Sequence, residues 1–125
     1  MTRTEGRLAA AALAAAALTA ATAAWAHHGW TAYGDEEFQL SGVVESASLG
    51  GPHGVLKVRN AQGVWDVMLA PPRAIERSGL SNAAVPRGAQ VIARGHRHRE
   101  AGRLEVKTER LVVGGRTFDL YPARP

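Results

Sequence analysis

The stretch VWDVMLAPPRAIERSG, residues 64–79, contains the pattern that decides the fold. Its first half alternates in polarity. Trp65, Val67 and Leu69 fall on one side of an extended chain, and the residues between them fall on the other side. This alternation predicts a half-buried strand from Val64 to Ala70, with Trp65 in the core.

The second half of the same stretch predicts a short helix. Pro71 and Pro72 end the strand, because proline cannot donate a backbone hydrogen bond to a sheet. Proline is favoured in the first turn of a helix, and glycine is favoured just after the last turn. Pro72 to Ser78, followed by Gly79, is therefore predicted as one helix.

Alternating segments on both sides of this stretch predict further strands, and turn-forming clusters separate them. Gly42 is predicted to mark a bulge or bend in the first strand, and Gly114-Gly115 is typical of a two-residue hairpin. The strand that begins at Ala89 is predicted to end at Arg94 or, alternatively, at His98. The further strands are predicted at Phe38–Glu45, Val55–Arg59, Ala89–Arg94, Arg103–Val113 and Thr117–Tyr121.

The order of these elements is three strands, one short helix and two strands, with a small hairpin strand added. This is the order of the OB-fold, a five-stranded Greek-key barrel. The sequence therefore predicts an all-β single domain with one short helix, built as a small OB-like antiparallel barrel over residues 38–121. An open antiparallel roll with the helix across one end is the alternative.

Residues 1–26 are predicted to be a secretory signal peptide. Two arginines come first, an uncharged Ala/Leu run extends from Leu8 to Ala24, and Ala24-Trp25-Ala26 fits the small-x-small cleavage pattern. An uncut membrane anchor is disfavoured, because the run is short and mostly alanine. We therefore expect a periplasmic or secreted protein with no transmembrane segment after cleavage.

The rest of the composition limits the classes of function. An irregular lead-in, residues 27–37, precedes the barrel. The chain has no cysteine, so neither a disulfide nor a thiolate metal site can form. Its formal net charge of +4 is mild for a nucleic-acid-binding protein, so no nucleic-acid partner is expected.

Four motifs together resemble a family of small exported bacterial proteins described only as a domain of unknown function (number 6152). The resemblance implies export and a single domain, and it implies no activity. Related chains often have an aromatic residue and Asn before the Pro-His turn, where this chain has Leu49-Gly-Gly51. The motifs are HHGWTAY (27–33), GPHG (51–54), WDVMLAPPRAIERSGL (65–80) and LEVKTERLVVGG (104–115).

Two histidines stand directly after the predicted cleavage site. If the cut follows Ala26, His27 becomes the first residue, and its α-amine and imidazole can chelate one metal ion. His28 adds a second imidazole. Nitrogen ligands suit copper, nickel and zinc, and the Irving–Williams order favours Cu(II). A polar start with no role is the alternative, and the whole idea depends on the position of the cut.

The remaining histidines are weaker candidates. His53 lies in the turn Gly51-Pro52-His53-Gly54, where a rigid backbone could present a third metal ligand, although a local hydrogen bond is the simpler role. His96 and His98 would share one side of an extended strand. Three arginines flank them, so a solvated or anion-binding hairpin tip is favoured over a metal site.

Enzyme motifs are absent from the sequence, which contains no G-x-S-x-G, H-E-x-x-H or phosphate loop. Three functions therefore stay open. The first is an exported copper-binding module without catalysis, with His27, His28 and His53 as ligands. The second is a metal-free barrel that binds a ligand across a face with the basic positions Lys57, Arg59, Arg94 and Arg97. The third is an envelope protein with a protein partner.

Overall fold

The computed structural model describes residues 29–124. The predicted signal peptide, residues 1–26, and the predicted metal ligands His27 and His28 therefore lie outside the described residues. The chain divides into two compact units, residues 1–32 and 33–125. Of the first unit only residues 29–32 are described, and they form turns. The second unit contains the predicted barrel.

Within residues 29–124 the structure has six strands, one α-helix and one short 3-10 helix at Asn82–Ala84. The helix has the predicted bounds. The elements are β1 (Phe38–Ser48), β2 (Val55–Asn60), β3 (Gly63–Met68), α1 (Pro72–Ser78), β4 (Gln90–Arg97), β5 (Glu105–Val113) and β6 (Arg116–Asp119).

The first five strands close into a barrel. Their order in the sheet is β3-β2-β1-β4-β5, and β3 pairs again with β5 to complete the circle. β6 adds to β5 beyond the region that pairs with β3. This topology confirms the OB-like prediction, with one difference: β3 and β5 are parallel. Parallel neighbours need a long crossover connection, and here α1 and β4 lie in that connection.

The core of the barrel contains the three residues that the alternation around Trp65 predicts. Trp65, Val67 and Leu69 are fully buried, and so are Leu56, Val58 and Leu111. Ile75 is the buried residue of α1, so the helix contributes one side chain to the same core. Gly79 ends the helix in a left-handed conformation with φ 82°, as the sequence predicts.

Gly42 does not lie at the bulge in β1, so the prediction of a bulge at this residue is wrong. The register shifts between Val44 and Ser46, and this bulge allows β1 to continue pairing with β2 as far as Ser48. Gly42 has another role, because β2 crosses close to it. A Cβ atom at Gly42 would lie 2.5 Å from the carbonyl oxygen of Arg59.

The strand ends differ from the predicted ends where backbone groups find partners outside the ladder. Leu69 donates to the carbonyl of Gly54 (2.8 Å), and Gly54 donates to Ala70 (3.0 Å), so the last predicted residues of β3 pair with a turn. β4 continues past Arg94 to Arg97, close to the alternative end. No helix within residues 29–124 is long and apolar enough to cross a bilayer.

Candidate functional site

His53 is the one predicted metal ligand that the structure describes. It is exposed in the turn between β1 and β2. Partial burial lowers the pKa of its imidazole, and the positive charge of Lys107 lowers it further. The lowered pKa favours the neutral ring, which is the form that binds a metal ion. The nearby lysine charge opposes a cation.

A row of charged residues lies buried along the outer side of β5. Glu105, Lys107 and Glu109 alternate along the strand and are all buried. The Tyr33 hydroxyl donates to Glu105 Oε2 at 2.5 Å. The Lys107 ammonium lies 5.8 Å from the centre of the Tyr121 ring. Burial lowers the pKa of Lys107, and the charge of Glu105 raises it in part.

Glu109 connects β4 to the C-terminal segment. Its Oε1 is 3.0 Å from His96 Nε2 and accepts a hydrogen bond from Arg124 Nε at 3.0 Å. The Glu109 carbonyl oxygen accepts the backbone N–H groups of Leu120 and Tyr121. Because the Glu109 side chain is only 2% exposed, these contacts offset part of the cost of burying its carboxylate.

His96 and His98 do not form a solvated hairpin tip, so this prediction is wrong. His96 lies within β4, and its side chain is only 13% exposed. His98 is buried, pairs with Tyr33 through an isolated β-bridge, and contacts the Tyr33 ring edge-on at 5.5 Å. The physical reason is that β4 continues almost to His98 and places both rings against neighbouring segments.

Three of the four basic strand positions contact other residues of the protein. Lys57 pairs with Asp66, and Arg59 pairs with Glu45. Arg97 lies over the Trp65 ring at 4.9 Å. These three charges are therefore engaged within the protein.

Arg94 is exposed and makes no ion pair with any other residue in the range 29–124. It is therefore the member of this set that remains available to an anionic ligand.

The outer face of β2 and β3 lacks the features that bind single-stranded nucleic acid. Such faces combine a positive groove with aromatic side chains on which bases stack. Here the charges are balanced by the two ion pairs. The side chains between the core positions are Val55, Lys57, Arg59, Val64, Asp66 and Met68, and none is aromatic.

Metal-ligating side chains are scattered in the described structure. Among residues 29–124, no three His, Asp or Glu side chains lie close enough together to hold a metal ion. His53 therefore stands apart from any cluster of described ligands.

An open groove of about 780 Å³ is a feature that the sequence analysis missed. It lies across β1, β4 and β5, and Val43, at 40% exposure, is its most exposed large apolar side chain. The signal was present in the sequence as apolar residues at outward positions of three strands. The groove is lined by Ser41, Gly42, Val43, Ala89, Gln90, Val91, Ile92, Val112, Val113, Gly114 and Gly115.

The comparisons with known proteins assign a family but no activity. The model of a family described as "Family of unknown function (DUF6152)" matches residues 14–107. None of the curated proteins matches the chain.

A solved structure supports the fold alone. A chain of the S. pombe Stn1-Ten1 complex is 15% identical, with a TM-score of 0.50, and the match covers 62% of this chain and 57% of that one. Asparaginyl-tRNA synthetase from Pyrococcus horikoshii is 21% identical over 70% of this chain, with a TM-score of 0.47. The chain spans only 57% and 21% of the lengths of these two proteins.

Proposed function

Because the chain belongs to DUF6152, a family of unknown function, we propose its function from its own residues. The protein is an exported binding module without catalysis, and it binds Cu(II) at the amino terminus that signal cleavage creates. The observation that carries this proposal is the position of His27 and His28 directly after Ala24-Trp25-Ala26.

The chemistry of the terminus supports copper over other metals. An N-terminal histidine presents its α-amine and its imidazole nitrogen in one residue. Nitrogen-only ligands favour Cu(II) among the first-row divalent ions, and the chain contains no thiolate that would favour Cu(I) or zinc. His28 adds an imidazole and a backbone amide nitrogen next to the same chelate.

His53 supports the proposal as a separate donor. Its exposed imidazole has a lowered pKa, which favours the neutral form that binds a metal ion. The positive charge of Lys107 opposes a metal ion at His53. Burial lowers the pKa of this lysine, which reduces the opposition. The terminal chelate is therefore the primary site, and His53 is the auxiliary ligand.

A copper titration of protein that begins at His27 tests the proposal. We expect one Cu(II) per chain, bound more tightly than Zn(II), by calorimetry and by the nitrogen hyperfine pattern in electron paramagnetic resonance. Affinity should fall as the pH drops through the imidazole range near about 6.5, because the ligands must be deprotonated.

The matched control carries an acetyl group on the α-amine of His27. It keeps every side chain and removes the free amine from the chelate. Equal copper affinity of the two proteins would show that the terminal chelate is wrong. A His53→Ala variant tests the role of His53 as the auxiliary ligand. It should lower the copper affinity and leave the one-to-one stoichiometry unchanged.

The second candidate function is a metal-free binding barrel, with an envelope molecule as its partner. The groove across β1, β4 and β5 favours this alternative, because concave apolar sites with few polar groups are typical of ligand binding. If neither the native terminus nor the acetylated one binds copper, this alternative becomes the better account.

A further inference from the structure

The groove contains no charged lining residue. β4 forms its central strip, with Ser41 opposite Ile92 on one side and Val112 opposite Ile92 on the other. Val43, Ile92 and Val112 are the larger apolar side chains at outward positions, and none of them is fully buried. The hairpin glycines Gly114 and Gly115 leave one end without side chains. The groove is therefore apolar and open at the hairpin end.

Two arginines lie at the opposite end of the groove. Arg94 and Arg110 are direct partners across β4 and β5, two residues beyond Ile92 and Val112. Both side chains are positively charged, so an anionic group is attracted to this end of the groove. Arg110 is partly engaged, with its Nε 3.8 Å from Asp119 and its NH2 donating to the Arg124 carbonyl. Arg94 is the available guanidinium.

We propose that this groove binds a medium-length alkyl chain that ends in a carboxylate, with the chain along β4 and the carboxylate at Arg94. The distance from Gln90 to Arg94 along the strand is about 13 Å, which suits such a chain. Arginine binds carboxylates through paired hydrogen bonds, and the apolar strip needs no hydrogen-bonding partner. The site is independent of the terminal copper chelate.

The pairing of the strands argues against a peptide as the occupant. A peptide that adds to a sheet needs a free strand edge. Along the groove, β4 is paired with β1 on one side and with β5 on the other, and β5 is also paired with β6. Ser41 and Gln90 are the polar side chains in the lining. A hydrocarbon chain suits this surface better, because it requires no backbone hydrogen bonds.

A binding series with matched amphiphiles tests the proposal. We expect the purified protein to bind laurate one-to-one below its micelle concentration, as measured by calorimetry. Dodecyltrimethylammonium has the same chain length with the opposite charge, and it should bind at least about tenfold more weakly. Amide shifts in NMR spectra should concentrate at Ile92, Val112 and Gly114, and should leave Met68 unchanged.

Three variants test how charge near Arg94 contributes to laurate binding. Arg94→Gln should weaken laurate binding about tenfold, because it removes one charge-assisted contact. Glu37→Gln should strengthen binding, because Glu37 lines the small hollow beside Arg94 and its charge opposes an anion. Arg73→Gln, at an exposed arginine of α1, should have no effect.

Some outcomes would overturn the proposal. Equal binding of the two amphiphiles would mean nonspecific adsorption to the apolar strip. Sedimentation with vesicles of anionic phospholipid, without binding of laurate, would make the occupant a membrane surface. Ile92→Thr keeps the β-branched shape and should weaken laurate binding, so an unchanged affinity in this variant would place the ligand elsewhere.

Discussion

Trp65 closes the barrel at the end where β1 begins and β4 ends. Its ring stacks on Phe38 with 5.5 Å between the ring centres, and the Arg97 guanidinium covers it. Its indole N–H donates to Asn60 Oδ1 at 3.1 Å, so the one polar atom of the side chain is satisfied. The residue therefore combines apolar burial, a cation contact and a hydrogen bond.

Replacing Trp65 with alanine should lower the free energy of unfolding by about 3–5 kcal/mol, because a fully buried large side chain leaves a cavity. Urea denaturation followed by circular dichroism measures the change. Val64→Ala is the matched control on the neighbouring residue. Val64 is 36% exposed, so this variant should cost much less. If the two variants lowered the free energy of unfolding by similar amounts, the assignment of Trp65 to the inner face and Val64 to the outer face of β3 would be contradicted.

His53 should titrate below its usual pKa of about 6.5, because burial and the Lys107 charge both disfavour the imidazolium. NMR titration of the ring protons measures this midpoint. Lys107→Gln should raise the pKa without restoring it fully, since burial is the larger cause. A lowered folded-state pKa contributes stability that is present above pH 6.5 and is lost as the pH falls. A midpoint at or above 6.5 in the native protein would refute this assignment.

At the scale of elements, β4 and β5 depend on one close approach. A Cβ atom at Gly95 would lie 1.8 Å from the carbonyl oxygen of Lys107, and the register of the two strands shifts beside it. Gly95 and Lys107 both lie in paired strands, so the backbone of neither can move away without opening the sheet. Gly95 is therefore the position where a side chain is excluded by tertiary packing.

Gly95→Ala should destabilise the protein by about 3 kcal/mol or more, because the clash involves backbone on both strands. The thermal midpoint should drop by roughly 10–20 °C. Gly102→Ala is the control, since nothing lies within 4 Å of a Cβ atom there. If the two variants melt at the same temperature, the strands do not approach as closely as described.

For the whole molecule, the first question is where the mature chain begins. The cleavage pattern at Ala24-Trp25-Ala26 leads us to expect an intact mass that corresponds to a chain starting at His27, in protein recovered from the cell envelope. Full-length chain in the membrane fraction would refute both the export prediction and the terminal chelate.

The OB-like fold of this barrel does not by itself determine what the protein binds. Its strand order is that of the OB-fold, yet the outer face of β2 and β3 carries two internal ion pairs and no aromatic side chain. Function depends on the residues grafted onto a fold, and the fold alone does not imply a nucleic-acid partner. The apolar groove on β1, β4 and β5 lies on another part of the surface.

The sequence by itself determined the elements and the core of this protein. The alternation around Trp65, the prolines before α1 and the glycine after it are local signals, and each acts through backbone geometry within a few residues. They predicted the helix bounds, the inward face of β3 and the three-strand, helix, two-strand order that closes as an OB-like barrel.

Only the tertiary structure decided which side chains meet. The β3–β5 closure, the contacts of His96 with Glu109 and of Tyr33 with Glu105, and the groove at Ile92 all join segments that are distant in the sequence. The pattern of β1 predicted a bulge or bend at Gly42, but the structure needs glycine there for the approach of β2. Periodicity gives the face of one strand, whereas register and closure depend on the packing of all strands together.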